Sequence, residues 1–143
     1  MYLIDTNVLS ELSRKSPDPG VVAWFERQDA IVVSAITLEE ITFGIQRLKP
    51  EQAGRLRQWF ESFRNIPPEV VPADARVALL AGQLRAAREL SGRIVTQADM
   101  LIAATALATE RILVTRNTKD FLECGVAVLN PFGFESPDDI LSG

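Results

Sequence analysis

Short apolar runs alternate with amphipathic stretches along this chain. Tyr2-Leu3-Ile4 is apolar, stops at Asp5, and reads as a short buried strand. Asn7–Arg14 then predicts a helix, and Pro17-Asp18-Pro19-Gly20 a turn. Val21–Gln28 predicts a second helix with Val22, Trp24 and Phe25 as its apolar material, followed by a strand at Ala30–Val33. Leu38, Ile41, Ile45 and Leu48 recur at helical spacing, so Leu38–Leu48 is a helix; Pro50 interrupts, and Gln52–Phe63 forms the next. Glu69–Val71 is a short strand after Pro67-Pro68, and Ala75–Leu90 a long amphipathic helix. Ala98–Thr109 is Ala-rich and apolar nearly all round, the pattern of a buried central helix. Ile112–Val114 and Val126–Leu129 read as strands, and the tail 131–143, rich in Pro, Gly and acids, as loose.

Strands separated by helices imply parallel pairing with helices on both faces. The expected architecture is a single α/β domain over residues 1–143, with a central parallel sheet of about five strands. Helices come in pairs between strands, more densely than in a simple nucleotide-binding fold.

Composition narrows the chemistry. The chain has 143 residues, 47% hydrophobic and 24% charged, as expected of a soluble globular domain. It has no stretch of the ~20 apolar residues a membrane span needs, and its start lacks a basic leader, so the expected location is the cytoplasm. A lone cysteine, Cys124, reads as a half-buried small apolar residue. Histidine is absent, which removes Ser-His-Asp and Cys-His machinery and histidine proton shuttling. Zinc is disfavoured for the same reason, so a bound metal would be held by oxygen, as magnesium or manganese are. The net charge of −4 opposes phosphate binding by the chain as a whole. A metal-loaded acid cluster, or a local basic patch, reverses that sign locally.

Three acids occupy matching local contexts. Asp5 stands where the first strand hands over to a helix. Thr37-Leu38-Glu39-Glu40 and Thr96-Gln97-Ala98-Asp99 each place an acid three residues after a threonine, the capping-box spacing. Taken singly, each acid is explained as a helix cap. Taken together they lie at helix N-termini along one sheet edge, where open α/β folds form ligand crevices. Carboxylates gathered there repel unless a cation sits between them. Spacing alone does not choose between Glu39 and Glu40. A fourth segment, Val114 to Phe121, follows a strand to the same edge; Thr115, Asn117 and Asp120 offer oxygens, and Arg116 and Lys119 positive charge.

These residues carry a resemblance. Leu3-Ile4-Asp5-Thr6-Asn7-Val8, Ser34-Ala35-Ile36-Thr37 through Glu40, Ala98-Asp99 with Ile102-Ala103-Ala104-Thr105-Ala106, and Leu113-Val114-Thr115-Arg116-Asn117 through Asp120-Phe121 resemble the PIN-domain ribonucleases. Within them the chain is similar to the VapC-type toxins of toxin–antitoxin pairs, the plasmid-stability subgroup above all. The resemblance implies that the family's acids fall on Asp5, Glu40 and Asp99, with Asn117 at a fourth position that is often Asp; Asn117 or Asp120 would complete the site. It implies magnesium or manganese, a homodimer, a small antitoxin as partner, and as substrate a structured RNA, often transfer RNA, cut in a single-stranded loop.

On that footing Asp5 and Asp99 are expected to hold the metal, with Glu40 binding directly or through water. Thr6, Asn7, Thr115 and Asn117 are expected to orient the ligands, and Arg116 and Lys119 to contact phosphates. Arg85, Arg88 and Arg93 would extend the track. An acidic cleft is also a dock for a basic side chain of the antitoxin. Two rivals stand beside this reading. One is a PIN-like module that binds RNA or protein without catalysis. The other is an aspartyl-nucleophile phosphatase, which typically needs a second Asp where this chain has Asn7.

Overall fold

The computed structural model describes residues 1–65 and 68–133, so most of the predicted tail, 134–143, lies outside the described residues. The strands are β1 (Tyr2–Ile4), β2 (Val32–Ser34), β3 (Glu69–Val71), β4 (Ile112–Val114) and β5 (Val128–Leu129). The helices are α1 (Thr6–Leu12), α2 (Pro19–Glu26), α3 (Ala35–Gln46), α4 (Pro50–Asn65), α5 (Ala75–Leu90), α6 (Gln97–Ala108) and α7 (Thr118–Leu122). Helices come in pairs through the first three crossovers, as the sequence predicts.

Among the described residues, the strand pairings are all parallel. They form two ladders, β1-β4-β5 and β2-β3, with β1 beside β2 at the junction. The period-2 alternation sorts neighbouring residues to opposite faces. Ile4, Val33 and Val114 join one core cluster with material from α1, α2, α3 and α4. Leu3, Val32 and Leu113 join another with Ile102, Ala103 and Ala106 of α6 and Phe121 of α7. Burial on both faces explains why these strands read as continuous apolar runs.

α6 is the central helix: Met100, Ile102, Ala103, Ala104, Thr105 and Ala106 are all buried. Its small residues admit α5 closely, with Val77 and Ala81 packing against Met100 and Ala104. The Thr105 hydroxyl would be an orphan there; it donates to the Leu101 carbonyl at 2.7 Å. α5 ends as a Schellman turn, with Gly92 at φ +83° and the Arg93 amide bonding back to the Arg88 carbonyl. Cys124 is half-buried against the α6 clusters, as expected of a small apolar side chain.

Three local expectations need correction. Pro19 and Gly20 are the first residues of α2 rather than a free turn, because Asp18 caps the helix by accepting from the Gly20 and Val21 amides. The capping box at Thr37 and Glu40 does not form. Ser34 is the N-cap of α3, accepting from the Ile36 amide, so Thr37 and Glu40 lie inside the helix. The segment after β4 contains a short helix, α7, where a loop was expected. Among the described residues no helix is long and apolar enough to cross a membrane.

Candidate active site

Strand register builds the centre of the site. Ile4 is paired with Val114, so the next residues, Asp5 and Thr115, come out side by side at the end of the ladder. The Asp5 amide bonds to the Val114 carbonyl at 2.9 Å, and the Thr115 amide to the Leu129 carbonyl at 2.9 Å. The Thr115 hydroxyl then donates to Asp5 Oδ2 at 2.8 Å, a bond buried between residues 110 positions apart. Asp5 Oδ1 accepts from the Thr6 amide at 2.8 Å and caps α1.

Asn7 ties this pair to the loop after β4. Its Nδ2 donates to Asp5 Oδ2 at 3.4 Å and to Thr115 Oγ1 at 3.3 Å, while its Oδ1 accepts from the Arg116 amide at 3.2 Å. The Asn117 amide donates to Thr115 Oγ1 at 3.0 Å. A second set of bonds brings in α3. The Thr6 hydroxyl donates to Glu40 Oε1 at 2.8 Å, and the buried Thr37 hydroxyl lies 3.1 Å from the same Thr6 oxygen. Thr37, read from sequence as a cap, is thus a packing partner of Thr6. The helical period carries that signal, since a residue three before Glu40 lies on the same face.

Asp99 enters from the first turn of α6, whose N-cap Thr96 accepts from the Asp99 amide at 3.1 Å. Here the predicted capping position is the observed one.

The electrostatics bind the three acids together. Asp5 is 4% exposed, and burial pushes its carboxyl up to about 6 despite the bonds from Thr115 and Thr6; Asp99 and Glu40 push it further the same way. Burial also raises Glu40, against the pull of the Thr6 bond, with Asp99 and Glu39 adding repulsion. Asp99 is raised by burial, against a bond from Thr96, and then by the nearby charge of Asp120. Glu40 rather than Glu39 is therefore the acid coupled to both Asp5 and Asp99. Among the described residues, none of the ion pairs uses Asp5, Glu40 or Asp99. Hydroxyl and amide donors direct these carboxylates, but nothing among those ion pairs neutralises them.

The donor set fits a hard divalent ion: oxygen only, buried, and short of positive charge. Burial raises the Cys124 thiol, which keeps it protonated and a poor ligand. The acids are coupled pair by pair rather than drawn into one ligand shell, for among the described residues no three acids are grouped closely enough to hold a metal ion.

The fourth segment divides into parts. Asn117 is half-buried and makes no side-chain cap to α7, whereas Asp120 is the residue whose charge reaches Asp99. Arg116 and Lys119 are exposed, and the Arg116 amide is tied to Asn7. The arginine track does not extend as expected. Arg88 is largely buried and paired with Glu123, Arg93 lies 3.2 Å from the same carboxylate, and Arg85 pairs with Glu89 at 3.8 Å. A pocket of about 540 Å³ is lined by Thr6, Glu40 and Ala98 together with the apolar Phe43, Leu48 and Leu56.

A family profile described as PIN domain matches residues 2–125. VapC ribonuclease Y4jK of Sinorhizobium fredii is 34% identical over 142 residues, covering 92% of this chain and 98% of the relative. Toxin FitB of Neisseria gonorrhoeae is 34% identical over 139 residues, covering 92% and 99%. The crystal structure of FitAcB from Neisseria gonorrhoeae superposes with a TM-score of 0.82 at 33% identity, covering 94% of this chain and all of that one.

Proposed function

This chain belongs to the PIN-domain family, and we propose that it is a metal-dependent endoribonuclease acting as the toxin of a toxin–antitoxin pair. The observation that carries the proposal is the convergence of Asp5, Glu40 and Asp99: burial makes each less acidic than usual, Asp99 and Glu40 both act on Asp5, and Asp99 acts on Glu40. Acids used only as caps have no need to share a field. The absence of a second acid at Asn7, whose amide instead donates to Asp5, speaks against an aspartyl-phosphate mechanism.

Asp5 and Asp99 would hold a magnesium or manganese ion, and Glu40 would hold it directly or through water. Bound there, such an ion would supply charge stabilisation at the scissile phosphate and acidify a water molecule. Thr115 and the Thr6 amide fix the Asp5 carboxylate. Thr6 holds Glu40 by Oε1, which leaves Oε2 to take the proton of the attacking water. Burial raises the proton affinity of Glu40, which makes it a stronger base than an exposed carboxylate. Asn7 and Asn117 hold the geometry of the loop, Asp120 or Asn117 completes the site beside Asp99, and Arg116 and Lys119 bind backbone phosphates. The substrate is a structured RNA, such as transfer RNA, opened at an unpaired loop, because paired bases are stacked away from such a cleft.

Two further parts follow from the resemblance to VapC-type toxins. The active form is a homodimer, and a cognate antitoxin silences the site by placing a basic side chain among the acids. The deciding experiment expresses the chain without a partner and sequences the RNA ends that appear. Discrete new ends that depend on magnesium or manganese, and vanish in folded Asp5→Asn and Asp99→Asn, are expected. Full cleavage by both variants overturns the site, and no cleavage by the parent leaves the binding module as the better reading.

A further inference from the structure

We infer that Phe132 is a positioning residue that holds the Arg116 guanidinium in place at the rim of the acid site. This rests on the reading of Arg116 as a phosphate contact.

Arg116 is exposed, and an arginine on an open loop samples many rotamers. Here it is restrained at both ends. Its amide donates to Asn7 Oδ1 at 3.2 Å, which ties the backbone to the residue that bonds Asp5. Its guanidinium lies 4.7 Å from the centre of the Phe132 ring, a cation–π contact. A ring makes no hydrogen bonds to a guanidinium, so the N–H donors stay available to phosphate oxygens.

Phe132 is itself built in. It packs against the cluster containing Ile4, Val8 and Val114, and the neighbouring Pro131 is buried. Its amide donates to Asn130 Oδ1 at 3.0 Å. The Gly133 amide then reaches both carboxylate oxygens of Asp18 at 3.3 Å, with Gly133 at φ +81°, where a side chain would be strained. Asp18 therefore caps α2 and pins the segment after β5 at the same time. The result is an aromatic platform, anchored on both sides, beneath a cation that sequence alone leaves on a loop. A pre-organised cation loses less freedom when it meets a phosphate.

The test has two readings on the full chain. In NMR, the Arg116 Nε–Hε proton is expected upfield of other exposed arginines through the ring current, and to return to their range in Phe132→Leu. Separately, binding of a fluorescent oligo-uridine RNA is followed in chelator across a salt series, with thermal melting to confirm folding. Arg116→Ala should flatten the log–log salt slope by about one. Phe132→Leu should weaken binding about two- to fivefold, the value of one exposed cation–π contact. Phe132→Tyr, which keeps the ring, should bind like the parent. If Arg116→Ala weakens binding and folded Phe132→Leu does not, the platform is refuted while the phosphate contact stands. If Arg116→Ala is also silent, the phosphate contact itself falls, and the inference with it.

Discussion

Removing the charge of Asp5 should stabilise the metal-free protein at neutral pH. Burial moves this carboxyl from 3.8 to about 6, so the folded state binds its proton more tightly than the unfolded state does. Below pH 4 both states are protonated and nothing is lost. Between about pH 4 and 6 the unfolded state releases the proton first, and stability falls; above pH 6 the loss is constant. At 1.36 kcal/mol per pH unit, keeping Asp5 ionised costs about 3 kcal/mol at pH 7. Asp5→Asn removes that cost and retains an oxygen for the Thr6 amide. It also puts an NH₂ where Oδ2 accepts from Thr115 and Asn7, which loses roughly 1 kcal/mol of hydrogen bonding. The variant should therefore be less stable than the parent by about 1 kcal/mol at pH 4 and more stable by about 2 kcal/mol at pH 7. In melting temperature the gain at pH 7 is about 4–8 °C for a domain of this size. Urea and thermal unfolding in chelator, run on both proteins from pH 4 to 7, measure it. Magnesium should then raise the parent's stability and leave the variant's nearly unchanged. A stability difference that does not change sign between pH 4 and 7 refutes the reasoning, because it would mean that the buried carboxylate carries no electrostatic penalty.

Thr115→Val removes a donor that lowers the Asp5 pKa and leaves two amides facing a methyl group; stability should drop by about 1–3 kcal/mol, and the acid limb of the cleavage pH profile should move to higher pH. Ile102→Ala opens a cavity in the fully buried centre of α6 and should cost about 2–5 kcal/mol by urea unfolding, with the Asp5 titration unmoved. Glu110 sits at φ 53° just past the end of α6, a conformation that strains any side chain, so Glu110→Gly should stabilise the protein by roughly 0.5–1 kcal/mol in thermal unfolding.

The fold was legible where one physical signal dominated. β1, β3, β4 and α5 fall at the residues predicted, because apolar runs between polar breaks, or a long amphipathic period, leave little choice. The all-round apolarity of Ala98–Thr109 announced the central helix for the same reason. Errors gathered at helix starts, where several caps compete. Ser34 and Thr37 both offer a hydroxyl, and the choice between them depends on where β2 ends, which is set by pairing with β3. α7 was missed because a helix of 5 residues has too few turns to show a period. At Pro19 the sequence signal is ambiguous, because proline suits a turn and equally suits the first turn of a helix behind an Asp cap, where the structure places it.

The candidate site could be proposed from sequence as a set of residues but not as a network. Strand ends and helix starts carried Asp5 and Asp99, and periodicity narrowed the middle acid to Glu39 or Glu40. What separates those two is Thr6, whose hydroxyl reaches Glu40 across 34 positions. No local pattern encodes such a contact. The fate of the arginines was equally hidden: Glu123 claims Arg88 and Arg93, while Phe132 holds Arg116, and each pairing joins segments that only the finished sheet brings together.

On the proposed reading, that network would let one pocket be both active and silenced. The partners seen around Asp5, Glu40 and Asp99 are neutral donors: hydroxyls of Thr6, Thr96 and Thr115, the Asn7 amide and a backbone N–H. Neutral donors orient a carboxylate but leave its charge, and burial makes that residual charge costly. Compensation therefore has to arrive from outside the cluster. On the proposed reading, a divalent ion would meet the need and bring chemistry with it. A guanidinium or ammonium group from a partner would meet the same need with no site for water activation. The two would exclude each other because they satisfy one deficit, so a partner of this kind would inhibit by occupying the charge balance rather than by deforming the fold.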